Sequence, residues 1–287
     1  NAVDAKTSGV ITATLDTGDT ASYSTLTGTG NAYTVTVNDA NTTAITATAL
    51  STLGGKTTGT VTVSNAIAIS GTQSEITAAL VTPGTLVLAA TATVTSSDAM
   101  SVTEANAVDA KTSGVITATL DTGDTASYST LTGTGNAYTV TVNDANTTAI
   151  TATALSTLGG KTTGTVTVSN AIAISGTQSE ITAALVTTDT LVVAGTATAT
   201  ISDAAEVAIT ATALSAIGGK TSGAVTVTNA IAISGTQAEI TAALVTTDTL
   251  VVAATATVTS SDAMSVAEAN AVDAKTSGVI TATLDTG

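Results

Sequence analysis

Residues 53–63 read LGGKTTGTVTV, and this stretch joins the two patterns that decide the fold. Its last four residues alternate polar and apolar β-branched side chains, as residues 165–168 do again, and this period of two predicts a half-buried strand. The alanine-rich run before it, residues 44–56 (AITATALSTLGGK), favours a short helix. The sequence therefore predicts a helix, a glycine-lysine turn and a strand in that order.

The letters GGKT also resemble the second half of a phosphate-binding loop. A full loop needs a further glycine where Leu50 stands, and it follows a strand and opens a helix. Here the predicted order is reversed, and three of the six lysine tetrapeptides occur as DAKTSG without the preceding glycine. We therefore interpret KT(S/T)G as a helix-to-strand turn whose glycines permit a left-handed or tight backbone and whose lysine lies at the negative end of the helix dipole.

Internal repetition is the strongest signal in the chain. Residues 1–82 recur unchanged as 106–187, and partial copies follow at 209–246 and 249–287. Every lysine lies in a KT(S/T)G tetrapeptide, and two strand-like segments separate each lysine from the next. The repeating coil is therefore on the order of 25 residues, a length typical of solenoids. Because residues 1–18 equal 270–287, we expect residues 1–287 to form one continuous solenoid window of a longer array.

Short helices are predicted between the strands. The pattern S/T-x-x-E, which is the sequence of a capping box, begins at Thr72, Ser101, Thr177, Thr236 and Ser265. The connections between strands, about 12–20 residues long, suit parallel pairing rather than tight hairpins. The predicted fold is a repeat solenoid of stacked coils with a parallel β-sheet and short helices. The alternative is an all-β parallel β-helix, in which the alanine-rich segments would be extended.

The composition excludes several classes of function. The chain has a formal net charge of −15 and no histidine, cysteine, tryptophan or phenylalanine. Such an acidic chain is a poor partner for nucleic acid or an anionic membrane, and it has no apolar run long enough to insert into a bilayer. Uniform copies without histidine or arginine give no reason to expect an enzyme, so no catalytic residue and no cofactor are predicted.

Three groups of side chains are candidates for binding. Acidic and amide residues of the LDTGDT and VNDAN segments are typical of calcium ligands, although the same residue types favour turns and helix caps for local reasons. Outward rows of threonine could bind ice or carry O-linked glycans, or could simply form a wet strand surface. The four tyrosines are expected to fill the core. The calcium candidates are Asp121, Asp124, Asn143, Asp144 and Asn146.

The repeat texture, with segments such as SVTEANAVDAKTSGVITATLDTG, ALSTLGGKTTG and TGTGNAYTVTVND, resembles that of very long Ala/Thr/Gly-rich repeat proteins of cyanobacteria and other bacteria. The resemblance covers the whole chain but carries over no functional residue. It implies a structural protein that is secreted or held at the cell surface. Together with the repeats, it leads us to expect a surface fibre, sheath or adhesin stalk that self-associates into filaments or layers.

Overall fold

The computed structural model describes residues 1–285, in which parallel strands and short helices alternate to give an α/β fold. We call one to three strands with the helix that follows them a module. The α-helices are α1 Thr20–Tyr23, α2 Ala47–Gly54, α3 Gln73–Leu80, α4 Val102–Asp109, α5 Thr125–Tyr128, α6 Ala152–Gly159, α7 Gln178–Leu185, α8 Ala211–Gly218, α9 Gln237–Leu244 and α10 Val266–Asp273, and short 3₁₀ helices span Asp4–Lys6, Thr188–Thr190 and Thr247–Thr249.

The strands run between these helices. They are β1 Thr12–Thr14, β2 Ala32–Val37, β3 Ala44–Thr46, β4 Val61–Val63, β5 Ala68–Gly71, β6 Val87–Leu88, β7 Thr93–Ser96, β8 Ile116–Thr119, β9 Ala137–Val142, β10 Ala149–Thr151, β11 Val166–Val168, β12 Ala173–Gly176, β13 Val192–Val193, β14 Thr198–Ile201, β15 Ala208–Thr210, β16 Val225–Val227, β17 Ala232–Gly235, β18 Val251–Val252, β19 Thr257–Met264 and β20 Ile280–Leu284.

The helices begin where the sequence predicts. Thr72 accepts a hydrogen bond from the backbone N–H of Glu75, and the Glu75 carboxylate accepts one from the N–H of Thr72, at 2.8 Å, which completes the capping box of α3. The equivalent boxes open α4, α7, α9 and α10, as predicted. One face of α3, formed by Ile76, Ala79 and Leu80, is fully buried, so capping fixes the start of the helix and apolar burial holds it in place.

The strands alternate as predicted and pair in parallel. Tyr33 and Val35 of β2 are buried, at 4% and 0% exposure, whereas Thr34 between them is exposed. Val35 pairs with Val61, and Val61 pairs in turn with Val87, so each strand pairs with one that lies a full coil further along the chain. The separation of paired strands that the lysine positions predict is therefore confirmed.

Two details of the prediction were wrong. The alanine-rich segment 44–56 is not helical from its start, because its first three residues form β3 and Thr46 then caps α2. Most modules consequently hold two strands in two different sheets, not one strand in a single sheet. Residues 47–54 of the segment are helical, which excludes the all-β alternative.

The chain divides into two compact units that interleave in sequence. The first comprises Asn1–Asp121 and Thr130–Val140. It contains a sheet of β1, β2, β4 and β6, and a second parallel ladder of β3, β5, β7, β8 and the first part of β9. Apolar residues of neighbouring strands in this ladder lie side by side, because Ile45 pairs with Ile69, Ile69 with Val94 and Val94 with Ile116.

The second unit comprises Thr122–Ser129 and the residues from Thr141 onward. It contains the sheet β10-β12-β14-β16-β18, the sheet β15-β17-β19-β20 and the pair β11-β13. Ile150, Ile174, Ala199, Val225 and Val251 form one continuous buried column across five strands. Small aliphatic side chains on successive modules thus build the core, as the composition predicts.

At three corners of the chain, a residue with left-handed backbone conformation comes shortly before the first strand of a sheet. Thr42, Thr147 and Glu206 have φ of 62°, 64° and 67°, and each precedes the first strand of a new ladder, β3, β10 or β15. The backbone N–H of Thr147 donates to the carbonyl of Ala171 in the next module, at 2.8 Å. This bond holds a β-branched residue in a conformation that costs roughly 1–2 kcal/mol.

All four tyrosines are buried, which confirms their predicted place in the core. No helix within residues 1–285 is long and apolar enough to cross a bilayer.

Candidate functional site

The KT(S/T)G tetrapeptide lies where successive modules touch. In the copy at Lys56 it follows α2, which ends at Gly54, and precedes β4, so the predicted helix-to-strand turn is confirmed. The helix comes before the motif, and no helix N-terminus is presented to a phosphate there. The contacts that the residues of the motif make explain why these residues recur.

The threonine that follows Lys56, Lys111, Lys220 and Lys275 joins its module to the preceding one. Thr112 is 8% exposed, and its hydroxyl donates to the carbonyl of Ala92 at 2.5 Å. The same hydroxyl accepts from the backbone N–H of Gly114 at 3.0 Å, so both hydrogen-bonding capacities are used in a buried place. Equivalent bonds are made by Thr276 to Ala256 and by Thr221 to Ala197.

The glycine that closes the motif packs on the same carbonyl. A β-carbon added to Gly114 would lie 2.2 Å from the carbonyl oxygen of Ala92, and at Gly278 it would lie 2.1 Å from that of Ala256. These glycines do not have positive φ, so of the predicted left-handed or tight turn only the left-handed form is excluded for them. They are needed because two backbones approach too closely for any side chain. Threonine and glycine of one motif therefore converge on one carbonyl of the neighbouring module.

The lysine of one copy, Lys56, also reaches a neighbouring module. The ammonium of Lys56 donates to the carbonyl of Ser24, at 3.1 Å, and to that of Leu26. These carbonyls follow the end of α1, where a helix carries partial negative charge. The interaction is of the type predicted for the lysine, but it is made to the helix of the preceding module instead of the lysine's own helix.

Carboxylates link the modules on the helix side. The backbone N–H of Gln73, the first residue of α3, donates to Asp98 of the next module at 2.5 Å. The hydroxyl of Thr48 in α2 donates to Glu75 in α3 at 2.6 Å. Hydrogen bonds from Thr48 and Thr72 hold the pKa of Glu75 below its usual value. One helix start therefore has carboxylate contacts to the module before and the module after it.

The sequence-predicted calcium candidates Asp124 and Asp144 meet at the start of α5. Asp124 accepts from the N–H and the hydroxyl of Ser127, at 2.7 and 2.6 Å, and these bonds lower the pKa of its carboxyl. Asp144 accepts from the N–H and the hydroxyl of Thr125, at 2.7 and 2.6 Å. The contacts of both carboxylates are those of helix caps.

The other candidates lie in the adjoining turns. The side-chain oxygen of Asn146 accepts from the N–H of Ala171 in the next module, and the backbone carbonyl of Asn143 accepts from a side-chain amide there. The backbone N–H of Asp121 donates to the carbonyl of Met100. Within residues 1–285, no three side chains of the aspartate, glutamate, histidine or cysteine types are grouped so that they could hold a metal ion. Calcium binding at these residues stays a prediction.

Outward hydroxyl groups form columns across successive strands. In the sheet β15-β17-β19-β20 the register places Thr210 beside Ser234, Ser234 beside Thr259 and Thr259 beside Thr281, all of them exposed. Two further columns of the same composition are Thr46, Ser70, Thr95 and Thr117, and Thr151, Ser175, Thr200 and Thr226. The predicted outward threonine rows are therefore present, one hydroxyl per strand in each column.

Two equivalent clefts lie beside the four-residue helices. One, of about 340 Å³, is lined by Tyr128 and Ser129 of the α5 module and by Thr157, Leu158 and Lys161 of the next. The other has the same composition beside α1 and measures about 160 Å³. Because α1 and α5 are half as long as α2 and α6, each leaves part of its longer neighbour uncovered.

Sequence reasoning missed the contacts that join the modules. The threonine of KT(S/T)G and the aspartates equivalent to Asp98 bond to residues of another module, far away along the chain, so no local pattern reveals their role. The signal that could have found them is their invariable place among the copies. Comparison with protein-family models, curated proteins and solved structures finds no match.

Proposed function

We propose that the protein is a structural repeat protein in which the modules stack as a solenoid, and that it forms or extends an extracellular fibre, sheath or adhesin stalk. The observation that carries the proposal is that the recurrent polar residues bond between modules. The threonine and glycine of KT(S/T)G in several copies, Lys56, and the carboxylate of Asp98 each contact a neighbouring module. Repeated inter-module contacts suit a long, uniform body, because each repeat needs only its neighbours.

Identical segments with different neighbours support this view. Residues 1–16, 106–121 and 270–285 have the same sequence. Val108 of the internal copy is completely buried, whereas the equivalent Val3 is 65% exposed, and Leu120 is 1% exposed where Leu284 is 50% exposed. Val272 of the last copy is also completely buried, but only the internal copy, which modules flank on both sides, buries both the valine and the leucine. Stacking therefore contributes to the hydrophobic stabilisation of each module.

A deletion tests the solenoid. Removal of residues 83–187 joins Thr82 to Thr188, which recreates the natural junction after Thr187 because residues 1–82 equal 106–187. The deleted segment holds α4 to α7, so a solenoid becomes shorter by about four strand spacings, roughly 19 Å. Small-angle X-ray scattering measures this change in the maximum dimension. A folded protein of unaltered maximum dimension, or a chain that no longer folds, would contradict the proposal.

Self-association and location are tested on native material. We expect electron micrographs of the full-length protein to show filaments or layers at the cell surface. Monomers alone under native conditions would count against the assembly part of the proposal.

The second candidate function is a binding module. It is favoured by the hydroxyl columns, whose members are spaced by about 4.8 Å from strand to strand. Such a surface suits ice or glycan attachment, and the Asp124 and Asp144 turns suit calcium. Valine at Thr259 and Thr281 should abolish ice shaping if ice is bound, and a chelator should lower the melting temperature if calcium is bound. No change in either experiment would remove that version of the candidate.

A further inference from the structure

One sequence of sixteen residues lies in three different surroundings. We call its copies the first, middle and last connector, and they are residues 1–16, 106–121 and 270–285. In the middle connector, β8 pairs with β7 on one side and with β9 on the other. Within residues 1–285, β1 of the first connector pairs only with the strand that follows it, β2, and β20 of the last connector only with the strand that precedes it, β19. Each connector therefore has a preceding face and a following face, and only the middle one has both faces paired.

The following face of a connector binds one particular loop. In the middle connector, the side chain of Asn106 donates to a carbonyl of loop 130–136 at 2.9 Å and accepts from an N–H of that loop at 2.8 Å. Asp109 accepts from the side-chain amide of Asn136 at 2.7 Å. The first connector makes the same three bonds, at the same lengths, to loop 25–31, which has the same sequence. The contact is therefore reproduced as a unit.

The fit between connector and loop is close. Gly133 has a φ of 76°, and a β-carbon added to it would lie 2.5 Å from a carboxylate oxygen of Asp109. The equivalent Gly28 has a φ of 84° and is equally close to the aspartate of the first connector. After the loop, β9 pairs with β8 in the register in which β2 pairs with β1. Loop and strand together, residues 25–34 and 130–139, form what we call a receptor segment for the connector.

The last connector presents the same following face. Its preceding face is in place, because β20 begins its pairing with β19 in the register in which β8 pairs with β7. Asn270 and Asp273, which correspond to the two loop-binding side chains, are exposed and make no side-chain hydrogen bond within the described part of the chain. Leu284 is 50% exposed, whereas the equivalent Leu120, with a receptor segment beside it, is 1% exposed. The middle connector thus shows what covers this face.

We propose that a second copy of this chain covers it: the receptor segment 25–34 of one molecule binds the last connector of another molecule in place of its own first connector. The exchange requires no new kind of contact, because the first and last connectors have the same sequence. Strand addition of this type combines main-chain hydrogen bonds with specific side-chain contacts. Two different surfaces meet, so the molecules join head to tail. This inference rests on the proposed function and specifies how its filaments would form.

The first connector competes with this association. It is tethered close to the receptor segment, which corresponds to an effective concentration of about 1 mM, so we expect the unaltered chain to associate weakly. Asn1→Ala with Asp4→Ala removes the three bonds of the first connector and leaves the last connector unaltered. At roughly fivefold for each hydrogen bond, the variant should associate at a concentration on the order of 100-fold lower. Sedimentation velocity over a dilution series measures this change.

The matched control removes the same two side chains from the last connector. Adding Asn270→Ala and Asp273→Ala to the first variant should return its association to the level of the unaltered chain. Far-ultraviolet circular dichroism shows whether both variants keep the fold. Association that does not increase in the first variant, or that is equally strong in the variant with four substitutions, would overturn the proposal.

A cross-link tests the register of the junction directly. In the proposed junction Thr283 of one molecule lies beside Thr34 of the other, as Thr119 lies beside Thr139 within the chain. Paired strands lie about 4.8 Å apart, a distance that a disulfide can span. The chain has no cysteine, so Thr283→Cys and Thr34→Cys chains, mixed in the background of the first variant, should become linked under mild oxidation. Thr62→Cys, on the inner strand β4, is the control for Thr34→Cys and should not become linked.

Mass spectrometry identifies the linked pair when one of the two chains is isotopically labelled. Linkage of both pairs to the same extent, or of neither, would overturn the proposal even if a variant loses stability. The scattering experiment on the deletion concerns single molecules, so a deletion that shortens the protein together with a failed cross-link would reject the exchange and leave the solenoid standing.

Discussion

Replacing Gly159 with alanine adds one methyl group where two modules touch. The new β-carbon would lie 2.2 Å from the carbonyl oxygen of Thr190 and 2.5 Å from its carbonyl carbon. Contacts of a β-carbon shorter than 3.0 Å are essentially absent from real structures. The new β-carbon and the carbonyl oxygen of Thr190 must therefore move apart by about 0.8 Å. Both atoms belong to the backbone, so either α6 or the segment entering β13 has to shift.

Two effects of opposite sign decide the outcome. Alanine is favoured over glycine in a helix by about 1 kcal/mol. Overpacking that forces a backbone shift typically costs about 1–3 kcal/mol. The difference leaves Gly159→Ala destabilising by roughly 0–2 kcal/mol, which lowers the melting temperature by up to about 8 °C in a chain of this size.

Gly160→Ala is the control, one residue further along the same chain. Its β-carbon would lie 3.5 Å from the carbonyl oxygen of Ser156, an ordinary contact, and its φ of −71° suits alanine. We expect its melting temperature, followed by far-UV circular dichroism, to be unchanged or slightly raised. If Gly159→Ala is as stable as Gly160→Ala, close approach of the modules is not what requires glycine at this position.

Three further changes have defined outcomes. Thr112→Val removes the buried inter-module hydroxyl and should cost about 1–2 kcal/mol in denaturant unfolding, whereas the exposed Thr119→Val should cost little; equal effects would contradict the role of the hydroxyl. Thr147→Gly removes the strain of a left-handed backbone at a β-branched residue, which is roughly 1–2 kcal/mol, although the greater entropy of glycine in the unfolded chain offsets part of this gain. The variant should therefore be as stable as the unaltered chain or more stable, whereas Thr148→Gly should be less stable. Burial raises the pKa of Tyr138, so its contribution to stability is complete below about pH 10 and is lost at higher pH. Near-ultraviolet absorbance of the phenolate should show that some of the tyrosines ionise only when the chain unfolds. Ionisation of all the tyrosines in a single titration without unfolding would refute this.

The sequence predicted those parts of the fold that local chemistry determines. The capping box beginning at Thr72 and the alternation in β2 involve residues close together in the chain, and both lie where expected. The parallel arrangement followed from the length of the connections. The first strand of the alanine-rich segment was missed because Ala44, Ile45 and Thr46 occupy only three positions, too few for a period to be recognised.

The junctions between modules could not be predicted in the same way. Thr112 looks like any turn threonine until the folded chain brings it against Ala92 of the preceding module. The calcium candidates illustrate the opposite difficulty, because Asp124 and Asn146 have residue types common to metal sites and to turns. Their contacts in the structure are those of caps and corners, and their sequence pattern alone does not separate the two roles.

The placement of the tyrosines has a practical consequence for spectroscopy. Tyr23 and Tyr128 belong to α1 and α5, the four-residue helices, and Tyr33 and Tyr138 belong to β2 and β9, the strands that follow them. Because the chain has no other aromatic residue, its near-ultraviolet absorption and fluorescence come entirely from these two places. Near-ultraviolet signals therefore report on these two local environments, and the remaining modules can unfold or refold without any change in tyrosine absorption or fluorescence.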